Sequence, residues 1–276
     1  RGAAGWTATA FCLLPVLVGF LLPVVILAQM ALGSGQSVFD PRYLRFAGNS
    51  LTLAGSAAFL TVAGAVVIAF RARMVPGRAS RWLLLGAGMG YAVPGGVIAV
   101  GLLVPFAGLD NMLDAWMRER FGVSTGLLFT GSIWLLVLAY MARFMAVALN
   151  TWDSGLETVS PHIDAVARTL GRTPPKILSR VHLPILRGSV LTALLIVFVD
   201  VMKELPATLI MRPFNFDTLA VQAHRLAADE RLAGAAVPSL VIVAVGLLPV
   251  ILVCRGIADR RRRVVAPEVL VERPAG

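Results

Sequence analysis

The sequence contains little charge. Charged residues make up 14% of its 276 residues, whereas hydrophobic residues make up 58%. A soluble domain of this size has too little interior to bury that much apolar surface, so the composition excludes an ordinary soluble protein and indicates a multi-span membrane protein. The formal net charge of +10 does not indicate nucleic-acid binding, because no basic cluster alternates with aromatic residues on a soluble fold.

Cysteine and histidine are also scarce. The chain has two cysteines and three histidines. Cys12 and Cys254 lie in separate apolar runs without metal-ligand spacing or a disulfide framework, so we expect two small buried hydrophobic residues. His162, His182 and His224 do not form a cluster, and we expect packing or surface roles for them. The sequence therefore predicts neither a tight metal site nor the residue constellation of a membrane enzyme.

Six apolar runs are close to the length of about 20 residues that a spanning helix needs. They cover residues 8–32, 50–70, 82–106, 125–149, 188–211 and 236–254. We therefore predict an all-α integral membrane fold with six transmembrane helices in the lipid bilayer. The chain begins at Arg1 and its first apolar run is too long for a signal peptide, so we expect a piece of a longer protein or a processed one.

The arginine and lysine residues are divided unequally between the two sides of this six-span arrangement. The termini and the loops at 71–81 and 150–187 hold sixteen of them, and the opposite loops hold seven. Because positive residues concentrate on the cytoplasmic side, we predict that both termini and these two loops are cytoplasmic. The run of four arginines at 260–263 is then a topology anchor.

The third apolar run contains a helix-breaking sequence, "GYAVPGGVIAVG" at 90–101. Pro94 cannot donate a backbone hydrogen bond, and Gly95 and Gly96 loosen the helix further. A broken helix at membrane depth is tolerated only where protein or a water-filled cavity covers it. The pattern predicts either a break beside a translocation pathway or an ordinary packing kink.

The fifth apolar run contains three charges, in "DVMKELP" at 200–206. Each charge near the centre of a span costs about 2.5–3.5 kcal/mol on insertion scales, so each needs a reason. Helical spacing predicts that Asp200, Lys203 and Glu204 lie on similar sides of one helix, with Lys203 paired to Asp200, while Pro206 frees a carbonyl at the same level. We interpret them first as a structural ion-pair network that binds the fifth span to its neighbours. The alternative is a water-facing lining whose carboxylates are weak, transient ligands of a hard cation.

The loop at 160–186 is too long and too patterned for a plain connector. We predict a first short helix that Gly171 ends, and a second that Thr173 caps, with Pro174 at its first position. The second helix presents an apolar strip formed by Ile177, Leu178 and Val181. Such a paired-helix unit lies on the membrane surface or docks into a groove on a partner.

The same loop resembles the signature of the permeases of ATP-binding-cassette (ABC) importers, E-A-A-x3-G-x9-I-x-L-P. The glycine and the closing residues are present with the full spacing, as Gly171, Val181, Leu183 and Pro184. The opening departs from the pattern, since the glutamate is missing and its three positions are filled by Ala165, Val166 and Ala167. Asp164, one residue earlier, is a candidate substitute for the glutamate.

This resemblance implies the type I ABC importer permease fold and a loop that docks on a separate ATPase subunit. ATP would be bound by that subunit, since this sequence lacks the phosphate-binding pattern G-x-x-x-x-G-K-[ST]. We therefore expect a transport subunit without enzyme activity or a cofactor of its own. We divide the chain into a first transmembrane helix with an outer loop (1–49), a permease core that includes the coupling loop 150–187 (50–256) and a basic cytoplasmic tail (257–276).

Two further stretches, 91–103 and 200–250, resemble the C-terminal half of the ferric-iron importer permeases. The likeness implies ferric iron as cargo, a periplasmic solute-binding protein, a second permease half that is fused or homodimeric, and the bacterial inner membrane. We assign to the translocation pathway Asp200, Lys203, Glu204, Pro206, Pro94 and Gly95. The stretch at 46–56 resembles the start of the family's core helices, and Asn49 or Ser50 there is a plain helix cap.

Two segments outside the predicted spans are expected to form helices at the surface. We predict an amphipathic surface helix at 109–122 and a short helix within 212–232 that meets the binding protein.

An importer of the same class would alternatively carry sulfate, thiamine, a phosphonate or a polyamine. A proton-coupled secondary transporter would use Asp200 and Glu204 as relay groups, but such a carrier does not need a paired-helix docking loop.

Overall fold

The computed structural model describes residues 2–35 and 40–265, and every regular element within these ranges is a helix. The first half holds α1 (Ala3–Val16), α2 (Leu22–Gly33), α3 (Pro41–Met74), α4 (Arg78–Gly88), α5 (Gly95–Phe121) and α6 (Ile133–Leu156). A π-helical turn, Leu17–Leu21, joins α1 to α2, and a 3-10 turn, Met89–Ala92, follows α4.

The second half begins with short helices and ends with a long one. It holds α7 (Pro161–Thr169), α8 (Pro174–Ile177), α9 (Leu183–Ile185), α10 (Arg187–Met202), α11 (Pro206–Met211), α12 (Leu219–Ala228) and α13 (Leu232–Val265). A π-helical turn, Leu178–His182, joins α8 to α9.

The described residues contain four helical segments that are long and apolar enough to cross a membrane: Gly5–Gly33, Pro41–Met74, Gly95–Phe121 and Ile133–Leu156. A fifth candidate consists of two pieces, Pro174–Ile185 and Arg187–Met202, which meet at a 79° bend. The all-α membrane fold is therefore confirmed, whereas the count of six spans is not. The predicted fifth span is present only as this bent pair, and the predicted sixth lies in α13, where the apolar stretch Leu232–Leu247 is shorter than a span.

The core forms where α3, α6 and α10 pack together. α3 contributes small side chains at helical spacing that let neighbouring backbones approach closely: Ala54, Ala57, Ala58 and Ala65. α6 contributes the fully buried rings of Tyr140 and Trp152. By contrast, the Gly5–Gly33 segment has a mean hydropathy of 2.8 and is not buried inside the chain. Cys12 on α1 is accordingly exposed, so the expectation of a buried Cys12 is wrong.

The start of α3 differs from the prediction. The helix begins at Pro41, and the Asp40 side chain caps it by accepting a 2.9 Å hydrogen bond from the amide of Arg42. Asn49 and Ser50 therefore lie inside the helix, and their assignment as its cap is wrong. Their side chains instead bind the segment that enters α12: Asn49 donates to the carbonyl of Asp217 and Ser50 accepts from the amide of Leu219, both at 2.9 Å.

The third and fourth predicted spans also change their limits. α5 runs without interruption to Phe121, so the separate surface helix expected at 109–122 is wrong. α6 begins at Ile133, eight residues later than expected, because the preceding segment folds onto the end of α5. Asp110 of α5 accepts hydrogen bonds of 2.8–3.0 Å from the amides of Leu128, Phe129 and Thr130.

Several expectations lie outside the described residues. They concern Arg1, residues 36–39 of the outer loop and residues 266–276 of the basic tail. The side chains of Cys254 and of the four arginines at 260–263 are likewise outside the described set.

Candidate functional site

Two helix breaks carry the residues that the sequence places on the pathway. The first lies between the 3-10 turn and α5, where Val93 and Pro94 are extended and α5 starts at Gly95. The second lies between α10 and α11, at residues 203–205. The first break was predicted as one of two alternatives, and the second replaces the single helix expected across 200–206.

The charged residues of the second break do not share one helix face. α10 ends at Met202, so Lys203 and Glu204 lie beyond it. The predicted pair of Lys203 and Asp200 is present at 2.9 Å, with the lysine side chain 66% exposed. Glu204 points elsewhere and its side chain is only 4% exposed.

Arg143 of α6 is the partner of Glu204, and the sequence interpretation missed this role. Arg143 Nη1 lies 3.7 Å from Glu204 Oε1 and donates a long, 3.5 Å hydrogen bond to the carbonyl of Val93. One arginine therefore touches both helix breaks. A lone arginine inside an apolar run is costly without a partner, and that cost was the signal that could have identified it.

Two glycines allow the backbone at the first break to approach α6 and the Arg143–Glu204 pair closely. A Cβ atom at Gly95 would overlap Glu204 Oε1 and Arg143 Nη1. A Cβ atom at Gly90 would overlap the carbonyl oxygen of Ala142, next to Arg143 in α6. Gly90 thus packs against the backbone of α6 at a distance that only glycine allows, and Gly95 lies against the side-chain ends of the ion pair.

The second break is held by hydrogen bonds at the start of α11. Glu204 Oε2 accepts from the amide of Ala207 at 3.3 Å, and the Thr208 hydroxyl donates to the carbonyl of Glu204 at 2.8 Å. The same hydroxyl shares a short hydrogen bond with the Tyr140 hydroxyl of α6. Backbone groups freed by the break therefore have partners inside the protein, which a break at membrane depth requires.

The 160–186 loop forms two short helical pieces, as predicted. α7 ends at Thr169, and Gly171 follows in the left-handed conformation with φ +70°. The amide of Arg172 donates to the carbonyl of Ala167 at 3.0 Å, a hydrogen bond that closes helices at such a glycine. Pro174 is the first residue of α8, but the Thr173 side chain makes no capping hydrogen bond. Thr173 is therefore the N-cap residue, as predicted, although its side chain does not supply the cap.

The apolar strip predicted on the second helix faces inward. Ile177 is fully buried against Phe70 and Ala167, and Leu178 and Val181 pack on the same cluster. Of the remaining residues of the signature, Leu183 is half-buried, and Pro184 and Ala165 are exposed. This strip consequently binds the loop to α3 and is not available to a partner.

The exposed apolar face of the loop lies on α7. Ile163, Val166 and Leu170 are 38%, 57% and 73% exposed. Their spacing of three and then four residues places them on one side of the helix. We call these three residues the α7 face.

A buried polar cluster, formed by Arg73, Asp164 and His182, holds the loop on α3. Arg73 Nε donates to Asp164 Oδ2 at 2.6 Å, and His182 Nε2 lies 2.6 Å from Asp164 Oδ1. Arg73 also donates to the carbonyls of Leu156 and Val159, at 3.4 and 3.0 Å. We call this set the Arg73 cluster. Asp164, expected as a substitute for the missing glutamate, is thus bound within the chain.

The charge of Asp164 is stabilised by these partners. Burial by itself raises the pKa of the Asp164 carboxyl, but the hydrogen bonds and charges of His182 and Arg73 outweigh it. The pKa of Asp164 therefore lies below its ordinary value.

Elsewhere, the part of the chain that is described contains no group of three or more metal-ligating His, Cys, Asp or Glu side chains.

No protein-family model matches the chain. It is 27% identical over 210 residues to the Fe(3+)-transport system permease protein FbpB 2 of Haemophilus influenzae, which covers 76% of this chain and 38% of that relative. It is also 27% identical over 199 residues to the putative 2-aminoethylphosphonate transport system permease protein PhnV of Salmonella typhimurium, covering 72% and 69%. The chain thus spans well under half the length of the Haemophilus relative.

Solved structures show the same fold. A bacterial ABC transporter involved in the import of the acidic polysaccharide alginate superposes with a TM-score of 0.69 at 16% identity, over 95% of this chain and 96% of the other. A bacterial alginate ABC transporter in complex with an alginate pentasaccharide-bound periplasmic protein gives 0.68 at 17% identity, over 90% and 92%. The resemblance to ABC importer permeases is therefore confirmed, and the chain has the fold of such a permease.

Proposed function

We propose that this chain is the transmembrane half of an ABC importer of a bacterial inner membrane, driven by a separate ATPase subunit that binds ATP. The α7 face carries this proposal. A loop that is bound so firmly to α3, yet presents three exposed apolar residues, is suited to insertion into a groove on another protein. The relatives and the shared fold support the importer class.

The charge around the α7 face supports the same partner. Arg168 and Arg172 are exposed at the end of α7, and Lys176 and Arg180 are exposed on the next helical pieces. Positive residues at this loop favour the cytoplasmic side, where ATP is hydrolysed. The Arg73 cluster then provides a rigid connection from the docked loop to the spanning helix α3.

The cargo that we propose is ferric iron, with a phosphonate as the second candidate. One relative is named for Fe(3+) transport and another for 2-aminoethylphosphonate transport, and both are 27% identical. Carboxylate oxygens are the ligands that a hard trivalent cation prefers, and Asp200 and Glu204 are the pathway carboxylates. Because each is paired with a basic side chain, a cation would be held only weakly and would leave readily.

Two further partners belong to the proposal. A periplasmic solute-binding protein would meet the outer segment at 212–232, where Arg225 and Arg231 are exposed. A second permease half, fused or identical, would complete the pathway. A proton-coupled carrier is disfavoured because it has no use for the exposed α7 face.

The experiment that tests the proposal is co-purification with the ATPase subunit encoded alongside it. Full-length wild type is compared with Leu170→Asp, which places a charge in the α7 face, and with Thr158→Asp, at an exposed position that precedes α7. We expect wild type and Thr158→Asp to retain the ATPase and Leu170→Asp to lose it. Absence of the ATPase from the wild-type preparation in mild detergent would contradict the proposal.

A further inference from the structure

Two buried arginine–carboxylate pairs in this chain differ in how completely they are bonded. In the Arg73 cluster, both oxygens of Asp164 have partners and the Arg73 guanidinium makes three hydrogen bonds. In the second pair, Arg143 and Glu204 are separated by 3.7 Å, and Arg143 Nε and Glu204 Oε1 are buried without a hydrogen-bond partner. The first pair is firmly bonded, whereas the second is loosely held.

The loosely held pair lies at the place where two helices begin. Glu204 Oε1 packs against Gly95, the first residue of α5, and Glu204 Oε2 bonds the first turn of α11. The first turn of a helix has free amides and a positive dipole end, which stabilise a carboxylate. Glu204 is therefore bonded through one oxygen to the amide of Ala207, while its other oxygen faces the charge of Arg143 without a hydrogen bond.

Because no hydrogen bond joins Arg143 to Glu204, this pair can separate at lower cost than the fully bonded Arg73 cluster. Resting on the proposed function, we propose that Arg143 is the positioning residue of a gate. Its ion pair with Glu204 holds α5 and α11 together at the two helix breaks, and transport requires this pair to separate so that α5 and α11 move apart.

The first test compares Arg143→Gln with Arg143→Lys and with Arg118→Gln in the complete, reconstituted importer. Arg118 forms an exposed ion pair with Asp114 at the other end of α5 and is a matched control. We expect Arg143→Gln to raise ATP hydrolysis without binding protein by about fivefold or more, the lower end of allosteric coupling, and to reduce uptake. Arg143→Lys should restore coupling in large part, and Arg118→Gln should behave as wild type.

Thermal unfolding separates this role from a structural one. Retained stability with uncoupled hydrolysis supports the gate, whereas a large loss of stability with coupling intact in the folded fraction would overturn it. Unchanged coupling and unchanged uptake in Arg143→Gln would overturn it as well. If the wild-type complex itself binds no ATPase, the proposed function fails first, and the gate with it.

A second variant tests the movement in a chain that keeps Arg143. A Cβ atom at Gly96 of α5 would lie 3.6 Å from Ile210 Cδ1 of α11. Gly96→Cys with Ile210→Cys, in a background with the native cysteines changed to serine, allows a short bis-methanethiosulfonate reagent to join the helices through two reducible disulfides. We expect cross-linking to abolish uptake and reduction to restore it. Full uptake by a completely cross-linked protein would refute the gate.

Discussion

The Arg73 cluster leads to a prediction about the stability of the 160–186 loop. Replacing Asp164 by Asn keeps the volume but removes the negative charge from a carboxylate whose two oxygens contact Arg73 and His182 at 2.6 Å. Breaking a buried ion pair costs about 3–5 kcal/mol, because the remaining charge stays buried. Arg73 keeps two carbonyl partners, so we expect the lower end, about 3 kcal/mol.

Hydrogen exchange of the loop amides is the assay. In Asp164→Asn, the free energy of local opening of the loop is about 3 kcal/mol lower than in wild type. The amides of α7 and the following helical pieces therefore exchange roughly 150-fold faster, since each 1.4 kcal/mol changes the opening equilibrium tenfold. Amides of α6 near Tyr140, far along the chain from the cluster, are the internal reference. A change of less than threefold in the loop of Asp164→Asn would refute the reasoning.

The same cluster gives a pH dependence with a defined sign. The pKa of Asp164 is lowered below its ordinary value of 3.8, so the folded loop favours the charged form. Its contribution is therefore complete above that ordinary value and is lost as the pH falls through the lower, folded-state pKa. The difference in loop exchange between wild type and Asp164→Asn should persist above pH 4 and disappear under stronger acid.

Two shorter predictions concern packing. Gly95→Ala forces a Cβ atom onto the Arg143–Glu204 pair and should cost about 1–3 kcal/mol, whereas Gly101→Ala, with open space at its Cβ on the same helix, should not lower the unfolding temperature. Ile177→Ala opens a cavity beneath the loop and should cost about 2–5 kcal/mol of stability, whereas Val166→Ala on the exposed α7 face should leave stability intact but weaken ATPase binding. Equal stability losses within either pair would contradict the packing described.

Local chemistry made part of the 160–186 loop predictable. A glycine with φ +70° after α7 and a proline at the first position of α8 each follow from the immediate sequence. The direction of the apolar strip was not predictable in the same way, because Ile177 packs on Phe70, which is more than 100 residues away in the chain. Contacts of that separation leave no periodic trace in a single sequence.

The misplaced start of α3 has a different cause. "FDPR" contains an aspartate followed by proline, which is a strong signal for the start of a helix. The polar composition of residues 33–42 nevertheless favours a loop in the sequence analysis. Asn49 and Ser50 were then interpreted as caps, although their polarity serves the entry to α12.

Only some ion-pair partners of the pathway residues could be predicted from the sequence. The cost of intramembrane charge predicted that Glu204 needs compensation, and helical spacing predicted the Lys203–Asp200 pair. Spacing could not identify Arg143 as the compensating charge, because the contact depends on how α6 packs against both helix breaks. The roles of these residues in transport stay predictions.

Uptake by the reconstituted importer distinguishes ATP-driven import from proton-driven transport. The full-length permease, its ATPase subunit and its binding protein are placed in liposomes, and uptake of labelled ferric iron is measured with ATP inside, with a non-hydrolysable analogue, and with a proton gradient alone. We expect uptake only with hydrolysable ATP and the binding protein, and 2-aminoethylphosphonate is tested in parallel as the second cargo. Uptake driven by the proton gradient without ATPase or ATP would contradict this expectation.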